Sequence, residues 1–184
     1  ISENAYLPHT SSLNQTSMDF LYTPFSIARR CRTPLNIQVK EMKVLNIHKR
    51  IVNQPKSSVV NVFKSLSTEN DRFWPKEKWP AMKFKDGIKV GARGGHGPIR
   101  YSVEEYNPSE IFQFRFLKPN GFNGIHKFEI HKVTDQKTEV KHIIDMNTSG
   151  KATLVWIIAI RTLHNALIED AFDTLENNFS DCMS

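Results

Sequence analysis

From Ala152 to Phe179 the chain has neither proline nor glycine, and Trp156, Ile160, Leu163, Leu167, Ala171 and Leu175 recur on one stripe. That spacing predicts a C-terminal amphipathic helix of roughly seven turns. Its apolar stripe needs a surface to cover it, and the preceding sequence supplies one. Ile99 to Tyr106 ends at Asn107-Pro108, and Ile111 to Leu117 at Lys118-Pro119-Asn120-Gly121. Gly124 to Val133 ends at Asp135-Gln136-Lys137, and Thr138 to Asn147 at Ser149-Gly150. Turns at such short intervals join antiparallel strands, since parallel crossovers need about a dozen residues or more. The fold class is therefore α+β, with a run of antiparallel strands packed on one long helix.

Upstream, Val44 to Val52 reads as a strand with partial alternation, broken by Asn53-Gln54-Pro55. Ser57 to Leu66 carries Val59, Val60, Phe63 and Leu66 at helical spacing, with Pro55 suited to the helix entrance. A second short helix is expected from Thr68, ending at or before Trp74 because Pro75 follows. Between Trp79-Pro80 and Val90 an irregular strand is expected, interrupted near Asp86-Gly87. With 184 residues the chain suits one domain over 44–184, preceded by an irregular arm over 1–43 rich in Ser, Thr, Asn and Pro.

Alternation assigns each strand residue to a face. The inward set is Ile99, Tyr101 and Val103; Phe112, Phe114 and Phe116; His126, Phe128 and Ile130; Val140, His142, Ile144 and Met146. The outward set, from Arg100, Glu104, Gln113 and Arg115 to Lys141 and Asp145, is nearly all polar. Two histidines thus fall on the apolar face. If the hairpin at Asp135 places Phe128 opposite His142, His126 lies diagonal to His142. His164, one position beside the helical stripe, would join them. Either these are core histidines bonded to a Tyr, Trp or backbone carbonyl, or they are polar points in an apolar ligand cavity. A three-histidine metal site is disfavoured because no Asp or Glu accompanies them on that face. No metal and no cofactor is expected.

Charge and motifs narrow the function classes. Lys and Arg number 25 against 19 Asp and Glu, a net of +6, and residues 44–90 alone hold ten against four. Lys76, Lys78, Lys83, Lys85 and Lys89 form this basic face beside Phe73, Trp74, Trp79 and Phe84. No zinc-finger, RNA-recognition or helix-turn-helix signature accompanies it, so a solvated lysine face is preferred to nucleic-acid binding. Gly91 to Gly97 is not a phosphate loop, because it leads into Pro98 and a strand and not into a helix. Its glycines suit a wide hairpin or bulge, with His96 at a pocket mouth. Glu169-Asp170 point about 100° apart on a helix, which suits a solvated face better than a catalytic pair. No stretch reaches the roughly 20 apolar residues of a membrane helix. Cys31 and Cys182 have no zinc or redox spacing, and free thiols in a reducing, cytoplasmic compartment are expected. Arg29, Arg30 and Arg32 keep organelle targeting open. The Asn-x-Ser/Thr triplets at Asn14, Asn147 and Asn178 occur without a signal peptide.

These residues carry a resemblance over about 44–179. Its marks are Ile47 to Phe63 with Pro55, His96-Gly97-Pro98-Ile99-Arg100-Tyr101, Tyr106-x-Pro108 and Phe114-Arg115-Phe116 with Pro119. Gly124-x-His126-x-Phe128 and His164-x-x-Leu167-x-Glu169-Asp170 complete them. Together they resemble the START-like or SRPBCC superfamily, whose helix-grip fold curves an antiparallel sheet around a C-terminal helix. The superfamily includes pathogenesis-related allergens, lipid-transfer START domains and aromatic polyketide cyclases. The His-Gly-Pro-Ile-Arg-Tyr and Gly-x-His strings look like a bacterial branch that brings no established catalytic residues.

The resemblance implies an apolar cavity between sheet and helix, and binding or transport of a small hydrophobic or aromatic ligand such as a lipid or polyketide-like metabolite. Phe112, Phe114, Phe116, Phe128, Ile144, Met146, Trp156 and Leu163 are the expected walls, and Tyr101, His126, His142 and His164 the expected hydrogen-bonding groups. Arg100 and Arg115 are expected to pair with Glu104 and Glu129 outside. The competing enzyme reading makes His126 or His142 a general acid/base in a cyclase or dehydratase, since a histidine titrating near 6.5 suits proton transfer beside a ketone. A third reading is a protein-interaction module that uses the basic face of residues 76–89. Oligomeric state is not specified by any of these patterns.

Overall fold

The computed structural model describes residues 41–180. The arm expected over 1–43 falls almost wholly outside them, as do Cys31, Cys182, Asn14, Arg29, Arg30 and Arg32. The elements are β1 (Met42–Val52), α1 (Lys56–Phe63), β2 (Lys83–Phe84), β3 (Arg93–His96), β4 (Ile99–Asn107), β5 (Ile111–Lys118), β6 (Phe122–Thr134) and β7 (Lys137–Thr148). The C-terminal helix follows as α2 (Lys151–Val155), a π-helical turn (Trp156–Ile160) and α3 (Arg161–Ser180). The strands form one curved antiparallel sheet in the order β1-β7-β6-β5-β4-β3-β2.

The alternation expected from sequence holds across the sheet. Tyr101, Phe112, Phe114, Phe128, Ile130, Val140, His142, Ile144 and Met146 are buried on the face toward the helix, and Arg100, Arg115 and His131 are exposed on the other. Phe128 pairs with His142 and His126 with Ile144, so the two histidines are diagonal neighbours.

Thr68 to Trp74 is not helical, contrary to expectation; it is a run of turns. The Asp71 carboxylate accepts the backbone N–H groups of Ser67 at 2.8 Å and of Phe73 and Trp74 at 2.9 Å. A short acidic side chain that takes backbone donors in this way competes with helix formation. The glycine-rich segment is also more regular than expected, because Arg93–His96 forms a strand. A Cβ on Gly94 would lie 2.6 Å from the Phe84 ring, and one on Gly95 would lie 2.1 Å from the Ile99 carbonyl oxygen. The glycines here allow close approach of β2, β3 and β4.

β1 turns its polar residues toward the helix. Its outward Leu45, Ile47 and Ile51 are exposed, while Asn46, His48 and Arg50 face the C-terminal helix. There the Asn46 amide donates to Asn165 at 3.1 Å, and the His48 ring contacts Glu169 at 2.7 Å and Asn165 at 3.1 Å. Arg50 bonds Glu169 at 2.9 Å, Asp173 at 3.1 Å and Glu176 at 2.5 Å. Polar ties thus hold one edge of the sheet to the helix. Apolar packing holds the middle, through Leu167, Ile168, Ala171, Phe172 and Leu175.

Lys151–Ser180 is the one helix among the described residues long and apolar enough, by length and composition, to cross a membrane. In this fold its C-terminal half lies on the sheet. The π turn adds a residue to one helical turn and shifts the stripe. Within α3 itself, His164 lies three, four and seven residues before Leu167, Ile168 and Ala171 and so shares their face, whereas Leu163, expected on the stripe, is 54% exposed.

Candidate ligand site

A cavity of about 220 Å³ lies between the sheet and the helix. The sheet contributes Ile99, Phe116, Phe122, His126, Phe128, His142 and Ile144, and the helix Trp156, Ile160, Leu163, His164, Leu167 and Ile168. The remaining wall is the β3–β4 turn, with His96, Gly97 and Pro98, and the segment before β2, with Trp74, Trp79, Pro80 and Met82. The lining is almost wholly apolar.

Nine of the residues expected at a site line this cavity: Phe116, His126, Phe128, His142, Ile144, Trp156, Leu163, His164 and, toward its mouth, His96. Tyr101, Phe112, Phe114 and Met146 do not. All four face inward as their alternation requires and are buried in the hydrophobic core without reaching the open space. Leu163 is exposed on its far side and touches the cavity only in part.

The Trp74 to Met82 wall escaped sequence reading because the segment has no period. Its only signal was aromatic density among lysines. Two tethers hold it in place. The Trp74 indole donates to the Pro80 carbonyl at 3.0 Å, and the Trp79 indole donates to the Asp170 carboxylate at 2.7 Å. Lys78 reaches the other Asp170 oxygen at 2.9 Å. Glu169 and Asp170 therefore point apart, as their helical angle requires, but each is engaged: Glu169 with β1 and Asp170 with this loop. The indole bond, aided by Lys78, holds the Asp170 carboxyl below its usual range. The hydrogen bond from His48, with Arg50 beside it, does the same for Glu169.

A line of rings crosses the site. Centroid separations are 6.2 Å from His48 to His164, 4.9 Å from His164 to His142 and 5.7 Å from His142 to His126. The line continues 4.7 Å to Tyr101, 5.8 Å to His96 and 5.0 Å to Trp74. Burial drives the inner imidazoles toward the neutral form. It takes His164 to about 3 and, with help from Arg100, His96 to about 4. His126 and His142 are also pushed well below 6.5 by burial. Burial holds the Tyr101 hydroxyl protonated, and it lies 3.2 Å from His96 Nδ1. Buried His126 Nε2, His142 Nδ1 and His164 Nδ1 have no hydrogen-bond partner among the described residues. The bonded-core alternative for these three histidines is thus not what the packing provides. Among the same residues no group of three His, Cys, Asp or Glu side chains is placed to hold a metal ion.

The outer arginines divide. Arg115 pairs with Glu104, as expected. Arg100 does not pair with a glutamate; it folds back so that Nη1 donates to the carbonyls of Gly97 at 2.6 Å and Ile99 at 2.7 Å. Glu129 takes Lys127 and His131 instead.

No protein-family model and no curated protein matches the sequence. Solved structures do resemble it in fold. A protein of Nitrosospira multiformis superimposes with a TM-score of 0.58 at 16% identity, over 77% of this chain and 100% of that one. A point mutant of norcoclaurine synthase from Thalictrum flavum, in complex with a transition-state analogue, gives 0.56 at 12% identity, over 77% and 99%. A Thermobifida fusca protein gives 0.54 at 13%, over 76% and 95%. At these identities the likeness is one of fold, and the fold is the helix grip.

Proposed function

We propose that this chain is a binding or carrier protein of the START-like type, which holds a small apolar or aromatic ligand bearing one hydrogen-bonding group in the cavity between sheet and helix. One observation carries the reading: three neutral imidazoles stand in the wall of an apolar cavity with buried nitrogens that no described residue satisfies. Each such group costs about 1–3 kcal/mol when left unpaired, so a core built only for stability would replace them. A carbonyl or hydroxyl on a ligand gives these imidazoles a polar partner from the cavity they line. Size agrees: an apolar cavity of about 150 Å³ accommodates benzene, and this one, at about 220 Å³, suits one or two rings or a short chain.

A second reading has its own support. Norcoclaurine synthase places an enzyme on the same fold, and a neutral imidazole in a dry cavity is a ready proton acceptor. In that case His126 or His142 acts as general acid/base in a cyclase- or dehydratase-like reaction. Native mass spectrometry of freshly purified protein, with extraction of whatever is bound, identifies the ligand class. His126→Gln and His142→Gln then separate the readings. A carrier loses affinity in these variants, whereas an enzyme keeps affinity and loses turnover. A protein that carries nothing and ignores an apolar fluorescent probe sinks both.

A further inference from the structure

The outer face of the sheet pairs most of its cations locally. Arg115 sits with Glu104, Lys127 with Glu129, Lys141 with Glu139 and Lys43 with Asp145. One corner breaks this pattern. An open groove of about 850 Å³ is lined by Lys83, Arg93, Arg100 and Lys118 and by no carboxylate. Among the described residues none of its four cations has an ion pair.

Strand register explains how they converge. Lys83 is opposite Gly95, Gly95 opposite Arg100, and Arg100 opposite Lys118, so three cations share one row across β2, β3, β4 and β5. Arg93 stands two residues before Gly95, on the same face. Like charges directly opposite each other destabilise a sheet, and Arg100 and Lys118 are so placed. The row is therefore an electrostatic cost that no carboxylate offsets; of its charges only that of Arg100 meets backbone carbonyls, those of Gly97 and Ile99. It concentrates positive potential where an anion would relieve it.

The groove adjoins the cavity. Pro80, His96 and Gly97 line both, so the β3–β4 turn forms a sill with an apolar hollow on one side and a cationic one on the other. We infer that the ligand is an anionic amphiphile, its apolar body in the cavity and a phosphate or carboxylate head lying over the sill in the groove of Lys83, Arg93, Arg100 and Lys118. The inference rests on the cavity reading above and names the chemical class of ligand for it.

The test is isothermal titration with decyl phosphate and decanol, both below micelle-forming concentrations. Wild type is expected to bind decyl phosphate at least tenfold more tightly, with the preference shrinking as salt rises. The Lys83→Gln/Arg93→Gln/Lys118→Gln variant is expected to bind both within about twofold, with decanol affinity unchanged. Arg100 is left in place because it holds the Gly97 turn. Equal affinities in wild type, or a phosphate preference that survives in the variant, overturn the groove and leave the cavity standing. Binding of neither compound overturns the cavity, and this inference with it. Should the triple variant lose decanol as well, the preference is read in the Lys83→Gln and Lys118→Gln singles, where an undiminished preference in both overturns the groove.

Discussion

The Trp79 indole donates a 2.7 Å hydrogen bond to the Asp170 carboxylate, and with Lys78 on the other carboxylate oxygen it ties the aromatic loop over the cavity to the helix that closes its other side. Neither residue belongs to the regular packing of sheet on helix. Their bond helps to position a wall that contains no strand or helix of its own, while Trp74 and Met82 anchor it in the core.

Asp170→Asn keeps the shape but removes the charge that strengthens the bond. A hydrogen bond to a charged group contributes about 1.5–3 kcal/mol, so a loss of about 1–2 kcal/mol is expected in urea unfolding. Affinity for an apolar probe is expected to fall more steeply than stability, because the loop is a cavity wall. An unchanged probe affinity would show that the wall holds its position without the tether.

Acid is expected to destabilise the fold through the buried histidines. Their folded values lie below the ordinary 6.5, at about 4 for His96 and about 3 for His164, with His126 and His142 shifted in the same direction. The unfolded chain therefore binds protons the folded one refuses. Stability is complete above pH 6.5 and declines as pH falls toward 4, by about 1.4 kcal/mol per pH unit for each group. Denaturation curves at pH 7.5, 6 and 5 give the slope. His164→Phe should flatten it by one group's share, and a slope that stays the same would mean that His164 does not titrate on unfolding.

Filling the cavity separates a ligand site from a loosely drawn core. Ile160, half-buried on the π turn, lines the cavity. Ile160→Phe should cost less than about 1.5 kcal/mol, because the new ring enters open space, and should weaken apolar probe binding at least tenfold. Overpacking a filled core costs about 1–3 kcal/mol, and destabilisation at the upper end of that range would speak against an open cavity.

Arg50 links β1 to the helix through three carboxylates and lies 5.9 Å from the centre of the Phe172 ring. These partners are partly exposed, so screening limits each pair. Arg50→Met is expected to cost about 1–2 kcal/mol at low salt and less in 1 M salt. An effect indifferent to salt would assign the loss to packing over Phe172.

The sheet was legible because period-two alternation and turn residues are local. They place Phe128 opposite His142, and hence His126 diagonal to His142, with no knowledge of the helix. The C-terminal helix was legible for the same reason, but the phase of its stripe was not. Within α3 ordinary helical spacing sets His164 beside Leu167, Ile168 and Ala171 and turns Leu163 away, whereas the π turn at Trp156–Ile160 changes how Trp156 lines up with that stripe, and a repeat read along the chain has no sign of the added residue. The faces of β1 were not legible either, since its apolar Leu45, Ile47 and Ile51 face out and its polar Asn46, His48 and Arg50 meet the helix.

For the four strands from Ile99 to Met146, sequence by itself determined which residues face inward, because side-chain direction follows from backbone period. It did not determine which of them meet a cavity and which meet one another. Tyr101, Phe112 and Phe114 share a face with His126 and Phe128, yet only the latter two reach the open space. That division depends on how far the helix stands from each part of the sheet and on where Trp74 and Trp79 fall, both set by contacts between residues far apart in the chain. The cationic groove has the same origin. Lys83, Arg93, Arg100 and Lys118 are scattered in sequence, and only the pairing of β2 to β5 brings them onto one face.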